Sequence, residues 1–125
     1  MIRRSPTQRT GDAAETRALG HLRSAGLRLV TRNWHCRFGE IDLVMQDGEY
    51  LVFVEVRHRR RLSSRHPSAV QTVGPRKQAR LLRTARCYLA SMREPPACRF
   101  DVVAIEEDGA GAERLEWIRD AFHAA

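Results

Sequence analysis

The stretch EIDLVMQDGEYLVFVEV, residues 40–56, constrains the fold more than any other part of the chain. Two runs rich in β-branched and aliphatic residues flank an Asp-Gly pair, which is a strong hairpin signal. Taking Asp47-Gly48 as a two-residue turn sets a register in which Glu40 faces Glu55, Val44 faces Leu51, and Asp42 faces Phe53. Asp42 is then one diagonal step from Glu55. Side chains alternate along strands, so Glu40, Asp42, Glu55 and Arg57 project from one face. Ile41, Leu43, Val52, Val54 and Val56 fall on the other and make an apolar surface.

The flanking sequence predicts the remaining elements. Residues 1–10, MIRRSPTQRT, lack apolar periodicity and read as a flexible basic arm. Ala14, Ala18, Leu22 and Ala25 then recur at helical spacing, with Asp12 as N-cap, Glu15 completing a capping box and Gly26 closing the helix. Residues 27–34 read as a strand, and 57–75 as a long polar, basic loop containing Pro67, Gly74 and Pro75. A second helix is predicted over 76–92, with Ala79, Leu82, Ala85, Leu89 and Met92 as its apolar stripe and Arg76, Arg80 and Arg83 on another face. RFDVVAI (99–105) and LEWI (115–118) supply two more strands. The order α-β-β-β-α-β-β predicts one α/β domain over residues 11–125, built on a mixed sheet. A length of 125 residues suits a single domain with its own core.

Charge narrows the class of partner. The chain has 22 Lys+Arg against 15 Asp+Glu, a net +7, and Lys77 is its only lysine. Arginine's planar, permanently charged fork suits phosphate, so nucleic acid is the favoured partner, with a merely solvated basic surface as the alternative. The three cysteines, Cys36, Cys87 and Cys98, are widely spaced and form no C-x-x-C pair, which argues against a disulfide framework or a zinc knuckle and for reduced thiols. His35, His58 and His66 have no ligand spacing. With no signal-peptide pattern and no apolar run of membrane-spanning length, the expected location is the cytoplasm.

Three carboxylates on one sheet face repel each other unless something neutralises them. Water and neighbouring arginines are one answer. A hard cation is the other: Mg²⁺ or Mn²⁺ takes oxygen ligands, and beside an arginine-rich surface such a site has the ingredients of metal-assisted phosphodiester hydrolysis.

The segments GDAAETRALGHLRSAG, RNWHCRFGEIDLV, LVFVEVRHR, RFDVV and the closing DAF resemble the YraN-like proteins over about residues 11–123. That uncharacterised bacterial family is assigned to the PD-(D/E)xK endonuclease superfamily and is related to Holliday-junction resolvases. The resemblance implies an α/β, restriction-endonuclease-like core, a central mixed β-sheet flanked by helices. It implies that Asp42 and Glu55 are metal-binding acids and that Glu15, unless it serves only the capping box, completes the cluster, with Glu40 behind them. The implied cofactor is Mg²⁺ or Mn²⁺, the implied substrate DNA, including branched or otherwise structured forms. A homodimer would suit the cutting of two strands.

The departure from that pattern is Arg57, which stands where the superfamily has lysine. Arginine keeps the charge and can position a phosphate, but with a pKa above about 12 it cannot act as a base. Arg59, Arg60, Arg61, Arg65, Arg76, Lys77 and Arg80 are candidate contacts to the nucleic-acid backbone, and Lys77 is also a candidate to replace the missing strand lysine. Asp101 reads as a buried polar anchor, and Trp34 and Trp117 as core or interface. Three functions compete: a metal-dependent DNA endonuclease, a nucleic-acid-binding protein on a nuclease fold with weak or no cleavage, and an interaction subunit whose basic face docks an acidic protein.

Overall fold

The computed structural model describes residues 6–60 and 73–123. Its elements are α1 (Pro6–Ser24), β1 (Arg28–Cys36), β2 (Gly39–Asp47), β3 (Tyr50–Arg60), α2 (Pro75–Leu89), β4 (Cys98–Glu107) and β5 (Glu113–Phe122). The strands form one sheet in the order β1-β2-β3-β4-β5, antiparallel throughout except for the parallel β3–β4 pair. Helix α2 makes the crossover that a parallel pair requires. This mixed sheet with a helix on each face is the expected α/β architecture, consistent with a restriction-endonuclease-like core.

Helix α1 starts at Pro6, where a proline's missing N–H costs nothing, so the predicted N-cap Asp12 is instead inside the helix. The capping-box reading of Glu15 therefore fails. Residues 6–10 of the predicted arm belong to the helix, and residues 1–5 lie outside the described part. At the other end Gly26 has φ 99°, and the Leu27 N–H donates to Leu22 O at 3.1 Å, closing the helix as expected. Ala14, Ala18, Leu19 and Leu22 are buried against Leu43, Met45, Val52, Val54, Val103 and Ile105.

The opposite face carries a second core, in which Ile41, Val44, Leu51, Phe53, Phe100 and Val102 meet Leu81 and Ala85 of α2. The buried residues of α2 are Leu81, Thr84 and Ala85, while Ala79 and Met92 of the predicted stripe are exposed. Ile41 thus leaves the face shared by Leu43 and Val54. The cause lies in β1, where Asn33 has φ 55° and the strand changes sides. Arg32 turns to α1, Trp34 packs edge-on against Tyr88 of α2 at 5.1 Å, and Ile41 is the ladder partner of Trp34.

Two further expectations are corrected. The hairpin register is Asp47↔Tyr50, Gln46↔Leu51 and Val44↔Phe53, so Gly48-Glu49 forms the turn and the pairing slides by two residues. Gly48, with φ 57°, supplies the left-handed conformation at the first turn position. Strand β3 also runs on to Arg60 instead of ending in a loop at residue 57, because it pairs with β4 along its length. Arg59 faces Glu106 and Arg60 faces Glu107, an opposite-charge pattern that a reading of β3 alone cannot see.

Asp101 is fully buried where the β4–β5 register shifts. Its carboxylate accepts Arg99 Nε at 3.0 Å, Trp117 Nε1 at 2.9 Å and the Asp120 N–H at 3.0 Å. It is the structural anchor expected, and it accounts for Trp117. Asp101→Ala leaves Trp117 Nε1 and the Asp120 N–H without their acceptor and Arg99 with Asp47 alone. The expected loss is about 3–5 kcal/mol in urea unfolding, the scale for breaking one side of a buried ion pair. A loss below about 1 kcal/mol would show that the anchor contributes little beyond a surface pair.

Candidate functional site

Strands β2 and β3 part company at the site. Their ladder ends at Leu43↔Val54, after which β2 continues against β1 as far as Gly39 and β3 continues against β4 as far as Arg60. The first backbone donor beyond the ladder, Val56 N–H, is taken by Asp42 Oδ2 at 2.8 Å. The two-residue slide in register brings Asp42 to the level of Glu55 rather than a diagonal step away.

A cleft of about 550 Å³ opens here, lined by Gly11, Ala14, Glu15, Asp42, Glu55, Val56, Arg57, His58 and Lys77. Four of the residues singled out in the sequence as catalytic, Glu15, Asp42, Glu55 and Arg57, come together in it. Oxygens of Glu15, Glu40 and Asp42 also approach within 4.8 Å of one another. That group contains Glu40, which the sequence placed behind the site, and it leaves Glu55 to one side.

The charges explain this arrangement. Burial drives the Asp42 carboxyl up from the usual 3.8 to about 8, aided by the nearby Glu55, Glu15 and Glu40 and opposed by the Val56 N–H. Burial also raises Glu15, against the pull of Arg32. Glu15 is 8% exposed, and its Oε1 lies 3.4 Å from Arg32 Nε, while Arg32 also donates to Asp12 O and Thr16 Oγ1, both at 2.9 Å. Glu55 is 4% exposed and has two cations on Oε1, Lys77 Nζ at 3.4 Å and Arg57 Nη1 at 3.5 Å. The acids are thus divided. Glu55 is matched by basic side chains, whereas Asp42 lies among carboxylates and accepts the Val56 N–H.

Oxygen donors crowded in this way fit a hard divalent cation, which would supply the positive charge that Asp42 lacks. Sequence reading missed Arg32, whose role depends on the strand turning at Asn33. Of the two readings offered for Lys77, an outer phosphate contact or a stand-in for the strand lysine, the folded chain sets it on Glu55 inside the cleft. Arg76 and Arg80 lie exposed on α2, and Arg60 ends β3 exposed beside the half-buried Arg59. Arg61 and Arg65, like His66, fall outside the described residues.

With this geometry in hand, comparison with known proteins is decisive on kinship. A family model described as uncharacterised protein family UPF0102 matches residues 14–105. The chain belongs to this family. A UPF0102 protein of Nitrosococcus oceani is 48% identical over 116 residues, covering 90% of each chain. One from Ralstonia pickettii is 52% identical, covering 93% of this chain and 91% of the relative. Another, from Ralstonia nicotianae, is 53% identical over 90% of this chain and 85% of the relative. The UPF0102 match spans α1 through most of β4 and so includes every acid of the cleft. Among the described residues no helix is long and apolar enough to cross a membrane.

The raised Asp42 value has a thermodynamic consequence. The folded protein holds a proton that the unfolded chain releases near 3.8, so this group favours folding fully below that pH. The contribution is lost as pH rises through about 8. In metal-free buffer, stability is expected to fall over that window, and Asp42→Asn to flatten the fall while leaving acid-side stability unchanged. Urea unfolding across the pH range reads both. Parallel curves for the two proteins would mean that Asp42 titrates normally.

Proposed function

We propose that this protein is a divalent-metal-dependent endonuclease that hydrolyses phosphodiester bonds in DNA, with branched or structured DNA as the favoured substrate. The observation that carries the reading is the convergence of Glu15, Glu40 and Asp42 within 4.8 Å, in a cleft that also contains Glu55, Arg57 and Lys77. Carboxylates beside cations in one cleft suit an ion and a phosphate held next to each other. The net charge of +7 supports a polyanionic substrate.

The roles follow from position. Asp42, Glu15 and Glu40 would hold Mg²⁺ or Mn²⁺, and Glu55 reaches the same cleft from β3. When bound, the ion supplies an acidified water and neutralises charge developing on the phosphate. Arg57 orients a phosphate oxygen through its fork. Lys77 fills the position that Arg57 cannot, because an amine can give up and hold a proton at Nζ and a guanidinium cannot. Glu55, through its contacts with both cations, keeps them directed into the cleft. Arg59, Arg60, Arg76 and Arg80 extend the basic surface along which a strand backbone would run.

The test is cleavage of linear, single-stranded, flap and four-way DNA with Mg²⁺ or Mn²⁺. Wild type is expected to cleave only with metal, and Asp42→Asn and Glu55→Gln to lose at least about 100-fold, the scale of removing one preorganised charge-stabilising group. Lys77→Arg is expected to keep DNA affinity and lose cleavage. Retained, salt-sensitive DNA binding with no cleavage of any substrate would replace this reading with that of a nucleic-acid-binding protein on a nuclease fold.

A further inference from the structure

Two of the cysteines that are far apart in sequence meet in the fold. Cys36 is the last residue of β1 and Cys87 lies near the end of α2. Trp34, two residues before Cys36 and so on the same side of the strand, packs against Tyr88, the neighbour of Cys87, with ring centroids 5.1 Å apart. Cys36 is the ladder partner of Gly39, and at Gly39 the side chains of α2 lie directly against the sheet. A β-carbon there would stand 2.9 Å from Thr84 Oγ1 and 3.2 Å from Arg80 Cγ. Thr84 and Cys87 are three residues apart on one helix face. The two thiols are near enough for each to shift the other's titration, and both are half-buried and free.

We propose that Cys36 and Cys87 form a reversible intramolecular disulfide under peroxide, tying the β1–β2 hairpin to α2. The environments of the two thiols assign the roles. Burial raises the Cys36 thiol, but the backbone N–H groups of Phe38 and Gly39, the Cys87 thiol and Arg37 outweigh it and hold the thiol below its ordinary range. Phe38 N–H donates to Cys36 Sγ at 3.5 Å. The neighbouring Cys36 thiol, together with burial, raises Cys87. Cys36 is therefore the nucleophile and Cys87 the resolving thiol. The Cys36 thiolate attacks one peroxide oxygen, the O–O bond breaks, and the departing hydroxide takes a proton to leave as water. The Cys87 sulfur then attacks the sulfenic sulfur of Cys36, the S–O bond breaks, and a second water departs with the Cys87 proton. The net change is two thiols and one hydrogen peroxide to one disulfide and two waters, reversed by a dithiol reductant.

The link sits beside the cleft without including any of its acids. Glu40 follows Gly39 directly, and α2 carries Lys77 into the cleft. Oxidation thus fixes the helix bearing the lysine against the strand bearing Glu40 and Asp42. Cys98 provides an internal control, since its thiol donates to Pro96 O at 3.2 Å at the start of β4.

The experiment uses the full chain and needs no nuclease activity. Purified protein is treated with hydrogen peroxide, remaining thiols are alkylated, and the digest is read by mass spectrometry without reduction. The expected product is one linked peptide pair containing Cys36 and Cys87, with Cys98 alkylated, a raised Tm, and full reversal by dithiothreitol. Cys87→Ser is expected to leave a Cys36 sulfenic acid that dimedone traps, and Cys98→Ser to leave the linkage unchanged. Three results would each overturn the proposal: all three thiols still alkylated after peroxide, Cys98 or a second chain in the main disulfide, or both thiols driven to sulfinic acid without a linked peptide.

Discussion

Val56 N–H donates to Asp42 Oδ2 at 2.8 Å, and the rest of the site depends on this hydrogen bond. It lies two residues past the last β2–β3 ladder pair, where continued pairing would have placed a backbone carbonyl opposite the amide. A carboxylate in that place satisfies the donor while allowing the two strands to separate. The separation is what makes a cleft between otherwise adjacent strands. It also brings the Asp42 carboxyl into a setting where burial and three other acids resist its ionisation.

The surrounding fold holds this unfavourable arrangement in place. Each sheet face has its own core, with α1 over Leu43, Met45, Val52 and Val54 and α2 over Val44, Leu51 and Phe53. The helices then deliver opposite charges to the same opening. Helix α1 contributes Glu15, steadied by Arg32, and α2 contributes Lys77, set on Glu55. At the distant edge Asp101 gathers Arg99, Trp117 and the Asp120 amide, so a second buried carboxylate is fully matched by donors. The contrast is informative. Asp101 is fully buried among donors, whereas the half-buried Asp42 lies among other carboxylates.

The hairpin was legible because alternation and turn chemistry act over a few residues. Its register came out two residues off, since Gly48 takes the first turn position rather than the second. The slide is even, and Asp42, Glu55 and Arg57 line one cleft, although the alternation of faces breaks at Ile41. Ile41 was misplaced because the side-switch at Asn33 is a property of the neighbouring strand. The extension of β3 through Arg60 depends on Glu106 and Glu107, almost fifty residues away. The same limit left Lys77 with two readings and hid the meeting of Cys36 with Cys87. Local pattern carries no information about which helix face a strand end will meet.

The central question for the site is whether the crowded Asp42 is where a divalent ion enters. Calorimetric titration with Mg²⁺ near neutral pH, in buffers of different ionisation enthalpy, addresses this directly. Binding that expels the Asp42 proton makes the apparent enthalpy depend on the buffer, with about one proton released per ion. That release should vanish well above pH 8, where Asp42 is already ionised, and in Asp42→Asn. Buffer-independent heats, or no binding at all to the wild-type chain, would contradict it.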